Sequence, residues 1–446
     1  MRMRMRKCCF VALFMLAVFC LAAPGTAATR YHVTQGGAGD EDGSSWANAS
    51  KNLKDVMEAA VPGDEIWVAA GTYGSGFDTG DTFLLKKGVK VYGGFAGTED
   101  DLNQRDWAAN VATLHGGGVN YHVVTGGPGA ASDDTRLDGF TVTGGNANGS
   151  DPEKLVERSG GGMYNKSSSP TVANCTFSGN TADAGGGMYN DNSEPTVASC
   201  TFSGNTAEGG GGIFNHQSSP AVANCTFSEN TARSVGGGIF NYKSSPTVED
   251  CTFSENTAEK GGSGMLNYDS NPTVVNCTFS ANTAESNGGG MYNDDSNPKV
   301  ANCTFSGNKV EDFGGGVYNN NSSPKVANCT FSGNKAESGG GMYNGNESGP
   351  TVANCVFSEN RAQDSGGGME NNNSSPTMTR CTFFGNKAGE YGGGMCNAAS
   401  RATVENCTFS GNKAGDYGGG MYNMLNSSPT LVNCTFSGNR ADIGGG

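Results

Sequence analysis

The chain is poor in the residue types that would announce chemistry. It has only four histidines in 446 residues, His32, His115, His122 and His216, and their spacing matches no metal-ligand pattern. Lys and Arg number 28 against 43 Asp and Glu, giving a formal net charge of −15. That balance argues against nucleic acid as a partner and against electrostatic docking on anionic lipid, since both need clustered cations. Long apolar runs are missing beyond the first residues, and none approaches the roughly 18–20 residues needed to span a bilayer. The glycines lack a three-residue period, which excludes collagen.

The one apolar run sits behind Arg2, Arg4, Arg6 and Lys7 and covers Cys8 to Ala22, with small residues at Thr26, Ala27 and Ala28. A basic start, a short apolar stretch and a small-residue cleavage site read as a secretory leader over residues 1–28. Its removal takes four positive charges from an already acidic chain. The protein is therefore expected to be secreted or held at a cell surface, with an outer-membrane location compatible with the same route. Acidic residues spread through the links of the chain (Asp183, Glu208, Glu259, Glu285, Glu337, Asp416) read as a solvated, self-repelling surface.

What is abundant is repetition. From Gly160 onward a phrase recurs with a period of about 26, the signature of a solenoid. Its first copy is Gly160-Gly-Gly-Met163-Tyr164-Asn165, then Ser169-Pro170-Thr171-Val172-Ala173-Asn174-Cys175-Thr176-Phe177-Ser178-Gly179-Asn180. Short apolar alternations separated by Pro, Gly and Asn predict three strands and three turns per coil. The expected fold is all-β: a right-handed, single-stranded parallel β-helix whose coils stack at the strand spacing of about 4.8 Å. Alternation points Met163, Val172, Cys175 and Phe177 inward, and their equivalents form continuous rows along the core. Asn165, Asn174 and Asn180 open three Asn rows, expected at corners where left-handed backbone and amide ladders are favoured.

Fifteen cysteines in an exported chain would ordinarily suggest disulfides. Eleven of them, from Cys175 to Cys434, occupy the same repeat position. Stacked, near-parallel Cβ vectors about 4.8 Å apart exceed the roughly 3.5–4.5 Å that a disulfide needs. Free buried thiols follow. Cys396 stands instead at the Tyr position of its repeat and is expected to be outward and reactive.

Residues 29–159 repeat less regularly and read as a cap with the first irregular coils, ahead of regular repeats over 160–446. Leu53, Val56, Met57 and Ala60 share one face of a short amphipathic helix. The phrases Gly43-Ser-Ser-Trp-Ala-Asn48, Pro62 to Tyr73, Tyr92-Gly-Gly-Phe-Ala-Gly-Thr-Glu99 and Gln104-Arg-Asp-Trp107 resemble the opening of bacterial β-helix surface proteins of the pectin-lyase-like superfamily. Gly160-Gly-Gly-Met163 paired with Phe177-Ser-Gly-Asn180, coil after coil, resembles the passenger repeats of polymorphic outer-membrane proteins. That resemblance implies surface display or adhesion. The sequence departs from it in having no membrane β-barrel pattern after the repeats, and it stops at Gly446 inside a fresh repeat.

The superfamily also contains polysaccharide lyases and hydrolases, so a carbohydrate-active enzyme is the alternative. The acidic pairs Asp100-Asp101, Asp133-Asp134 and Asp294-Asp295 do not fall at equivalent positions of adjacent coils, and no catalytic, metal or cofactor-binding residue is assigned. Two outward rows remain as binding candidates. One is aromatic: Tyr164, Tyr189, Phe214, Phe240, Tyr292, Tyr318, Tyr343 and Tyr422, interrupted by Leu266, Glu370 and Cys396. Such a row could stack on sugar rings or a partner protein. Mutual stacking within the coil is the simpler reading. The other pairs Thr176 with Ser178 coil after coil, a hydroxyl array similar to ice-binding faces, which use Thr-x-Thr; Ser in place of the second Thr, with Asn and charge nearby, speaks against that use. The function expected from all this is a non-catalytic, adhesin-like scaffold for glycan or protein on another surface, without cofactor.

Overall fold

The computed structural model describes residues 28–130, 134–151 and 153–446. The expected leader, up to residue 27, lies outside them. Among the described residues the strands form four parallel sheets of 15, 10, 13 and 14 strands, wound as one solenoid. One coil of the regular stack runs Met163–Lys166, Thr171–Ala173, Thr176–Ser178 and Thr181–Ala182. The fourth of these strands was not expected. It is only two residues long and too short to show a period, yet its copies build the 10-stranded sheet. On the three longer strands of the regular coils equivalent residues pair in register, Met163 with Met188, Val172 with Val197, Phe177 with Phe202, while the fourth strand slips between Ala207 and Gly209.

The inward assignments hold. Met163, Val172, Cys175 and Phe177 are all buried in the main core, as are their copies up to the last coil, where Leu431 is exposed and Cys434 and Phe436 are half-buried. The phenylalanines stack nearly flat, Phe253 on Phe279 at 4.6 Å and 3°, Phe279 on Phe305 at 4.8 Å and 6°. Flat stacking at this distance follows from strand spacing, because identical rotamers on in-register strands must lie parallel. The main cysteine row is free, and its thiols hydrogen-bond backbone: Cys200 Sγ donates to Ala198 O at 3.3 Å. Burial pushes the Cys200 thiol well above its ordinary value.

Two of the three Asn rows differ from the corner reading. Asn174 does sit in left-handed backbone, at φ 52°. Asn165 and Asn180 do not; they are fully buried and form the inner ladders. Asn165 Nδ2 donates to Asn190 Oδ1 at 2.9 Å, and Asn180 Nδ2 donates to Asn205 Oδ1 at 3.1 Å and to Val142 O at 3.0 Å. The left-handed residue at the second ladder is its predecessor, Gly179 at φ 62°, replaced by Glu229, Glu255, Ala281 and Glu359 in other coils. A buried serine row completes the set, with Ser193 N donating to Ser218 Oγ at 2.9 Å.

At the N-terminal end the helix Leu53–Ala59 is capped by Asn52, whose side chain accepts from Asp55 N. Leu53 and Met57 join the main core. Outside the sheet, Trp67, Tyr92 and Phe95 form a second aromatic cluster with Trp46 packed on it. Gly94 explains the glycines of that opening phrase: its φ is 99°, and a Cβ there would meet the Trp107 backbone at 2.8 Å. Nearby, Asp138 is buried between Arg105 Nη2 at 2.7 Å and Arg136 Nη2 at 2.6 Å, which locks the loop carrying Trp107 to the first coils.

Candidate binding surface

Each aromatic of the candidate row follows an inward Met, Ile or Val, so strand alternation turns it away from the core. Turning outward does not leave it open. Tyr164, Tyr189, Tyr318 and Tyr343 are buried, while Phe214, Phe240, Tyr292 and Tyr422 are half-buried. The cause is twofold. The rings stack on one another, Tyr164 on Tyr189 at 5.7 Å and 3°. The link before each Gly-Gly-Gly then folds over them, bringing Phe313 to 4.7 Å from Tyr343 and Tyr391 to 5.3 Å from Tyr422. Burial pushes the Tyr164 phenol up to about 12 and raises Tyr189 and Tyr343 as well. The row is therefore a covered aromatic seam along most of its length. His122 extends it, stacked on Tyr164 at 4.9 Å, and burial lowers its imidazole to about 4.

Cys396 is corrected by the same geometry. It lies inside this seam with no exposed surface. Burial, then the neighbouring Glu370 carboxylate, pushes its thiol far above the ordinary range, the opposite of a reactive cysteine. Among the described cysteines Cys434, in the last coil, is half-buried and the rest are buried.

Glu370 is the chemical misfit of the seam. Only 4% exposed, it pairs in register with Tyr343 and Cys396, and its Oε2 has no hydrogen-bond partner. Burial pushes its carboxyl up to about 7 from 4.5, the Ser365 hydroxyl and Cys396 thiol lowering it only partly. A folded-state value above the unfolded one favours the protonated fold. Stability tied to Glu370 is complete below pH 4.5, falls as pH rises, and is lost above pH 7, a difference of about 3 kcal/mol. Glu370→Gln should therefore match the parent in urea denaturation at pH 4 and exceed it at pH 8. Equal midpoints at both values would show that the carboxylate is not buried as drawn.

The surface that is open lies elsewhere. His216, Tyr242 and Tyr268 stack at 5.6 Å intervals on the outer side of the same strands, and Tyr268 is 39% exposed. His216 Nδ1 is 3.0 Å from Asp191 Oδ1. The Thr/Ser face is present and half-exposed through most coils, but Val356 replaces a Thr and Phe384 a Ser. Sequence reading missed a further row at the first position of the fourth strand. There Thr283 is followed by Lys309, Lys335, Arg361, Lys387, Lys413 and Arg440, one per coil. The signal was available in Asn-Lys and Asn-Arg after each Phe-x-Gly or Phe-x-Glu, but the acidic links around it concealed it. Of the three acidic pairs, Asp133 lies outside the described residues, and among the described residues no three His, Cys, Asp or Glu side chains converge as a metal-binding group. No helix of the described residues is long and apolar enough to cross a membrane.

A family model described as a right-handed beta helix region matches residues 132–279, 247–362 and 315–446. Among curated proteins none matches the chain. Solved structures similar to it include pectate lyase Pel9A, 12% identical, covering 92% of this chain and 78% of that one with a TM-score of 0.25. Another is PfbA, a surface adhesin of Streptococcus pneumoniae, 11% identical over 88% of each chain with a TM-score of 0.26. A third is the Dettilon tailspike protein, 10% identical, covering 90% and 68% with a TM-score of 0.27.

Proposed function

Because the chain belongs to the right-handed β-helix family, we propose that it is an exported, non-catalytic scaffold of the adhesin type that presents long repetitive faces to glycan or protein on another surface. In this reading residues 29–159 start the solenoid and residues 160–446 extend it, after the manner of polymorphic outer-membrane protein passengers. One observation carries the proposal. The buried polar side chains that recur in the repeat are committed to their own copies: the two inner Asn rows, the Ser row and the Cys row all bond from coil to coil. Groups held this way stiffen a rod, and they are not free to bind, activate or protonate a substrate. What varies between coils lies on the outer faces, where it changes what the rod displays and not how it folds.

The test is direct. Purified chain is applied to a glycan array and to cultured cells, and in parallel incubated with polysaccharides whose chain length is followed. Retention on cells or glycans without shortening of any polysaccharide is the expected result. Cleavage without retention would replace the scaffold by an enzyme.

A further inference from the structure

We propose that the cationic row of the last six coils is a binding track for a linear anionic polysaccharide, one carrying a sulfate or carboxylate on most of its sugars. The proposal rests on the scaffold reading above and names the class of ligand that one of its faces would take.

The row is built by the repeat itself. Each coil's fourth strand starts just past the buried Asn ladder, and its first side chain points outward. In the earlier coils that residue is Thr181, Thr206, Thr231, Thr257 or Thr283. From Lys309 on it is a cation in every coil, and all six are exposed. Register pairing sets them in a straight file about 4.8 Å apart, some 24 Å from end to end. Like charges directly opposite on paired strands destabilise a sheet. The five threonines show that a neutral residue builds the same strand, so the fold does not require the charge. Among the described residues none of the six cations makes an ion pair within 4.0 Å, although ten pairs form elsewhere.

The surroundings are graded. Two residues past each cation in the chain stand Glu311 and Glu337, then Gln363, Gly389 and Gly415, and finally Asp442. Arg361, Lys387 and Lys413 thus form the least neutralised stretch, with Asp364, Glu390 and Asp416 following one residue later. A shallow groove of about 350 Å³ runs along Lys309, Lys335 and Arg361 over Val310, Ala336 and Ala362. Around the Gly385-Asn386 corner from Lys387 stands Phe384, 52% exposed, at a position that is Ser in the coils on either side. A file of cations beside a flat exposed ring suits a chain of sugars, whose C–H faces stack on the ring while their anionic groups meet the file.

The experiment uses the whole exported chain and four immobilised probes: heparin, polygalacturonate, neutral dextran and single-stranded DNA. Binding to heparin, to polygalacturonate or to both, weakened by salt and absent on dextran, is expected; the two probes distinguish sulfate from carboxylate as the source of charge. Substituting Arg361→Thr, Lys387→Thr and Lys413→Thr together installs the residue of the earlier coils, and should weaken that binding by about tenfold or more with an unchanged circular dichroism spectrum. The control removes three cations outside the file: Lys243→Asn, the residue that other coils carry at this left-handed position, with Lys299→Thr and Lys325→Thr, which stand between Thr273 and Thr351 in their own row. It should leave binding unchanged. Equal loss in both triple variants, or stronger retention on DNA than on either polysaccharide, would overturn the track. Retention on dextran or on cells with no preference for the anionic probes would overturn the track and leave the scaffold reading standing, whereas shortening of polygalacturonate would overturn the scaffold reading.

Discussion

Phe279→Ala is expected to cost about 3–5 kcal/mol and to loosen a local set of coils without unfolding the rod. The ring is fully buried and sandwiched between Phe253 and Phe305. Truncation leaves a void that in-register strands cannot close, because the backbone spacing above and below is held by ladder hydrogen bonds. Two stacking contacts go with the ring, each worth about 0.5–1.5 kcal/mol beyond area. A solenoid transmits this to its neighbours only, since stability is a sum of coil and interface contributions. Hydrogen exchange should therefore rise between about Met265 and Ser306 and stay low around Phe202 and Phe383. Phe436→Ala, at a half-buried ring with one stacking partner, should cost clearly less. Uniform loss of protection along the whole stack would contradict a nearest-neighbour rod.

How much of this was legible depends on whether a feature repeats. Met163, Val172, Cys175 and Phe177 could be placed inward because two periods agree on them, the alternation along a strand and the recurrence between coils. The four-sheet cross-section could not, because Thr181-Ala182 is too short for alternation. Burial of the Tyr164 row was hidden for another reason. It depends on links such as Asp312-Phe313 and Glu390-Tyr391, which vary in length and composition, and whose chain path no periodicity specifies. Cys396 was misplaced with that row. The lysine file was hidden by averaging: read along the chain, each cation sits among acids, and only stacking the coils in register brings six of them together.

Among the polar groups, the inner Asn ladder carries the second large effect, and Asn256 is its best probe. Its Oδ1 accepts from Asn230 N at 3.1 Å and Asn230 Nδ2 at 3.0 Å. Its Nδ2 donates to Phe227 O at 2.9 Å and to Asn282 Oδ1 at 2.9 Å. Asn256→Ala strips partners from groups in the coils on both sides at once. The Asn230 N–H loses its side-chain acceptor, while Asn230 Nδ2 keeps Phe202 O and Asn282 Oδ1 keeps the residue-256 N–H; with a buried unpaired group costing roughly 1–3 kcal/mol, the total should be about 3 kcal/mol. Asn256→Asp separates hydrogen bonding from volume. The carboxylate still accepts from Asn230, but it sets a charge against the Phe227 carbonyl and the Asn282 Oδ1, two acceptors. Burial and those acceptors raise its folded-state value above the unfolded one near 3.9. The penalty is then full at neutral pH and shrinks as pH falls, because the protonated acid can donate to one of the two acceptors again. Urea midpoints of the Asp variant should approach those of the parent toward pH 4, while Asn256→Ala stays low throughout. An Asp variant as stable as the parent at pH 7 would mean that the ladder contributes shape and not directed hydrogen bonds.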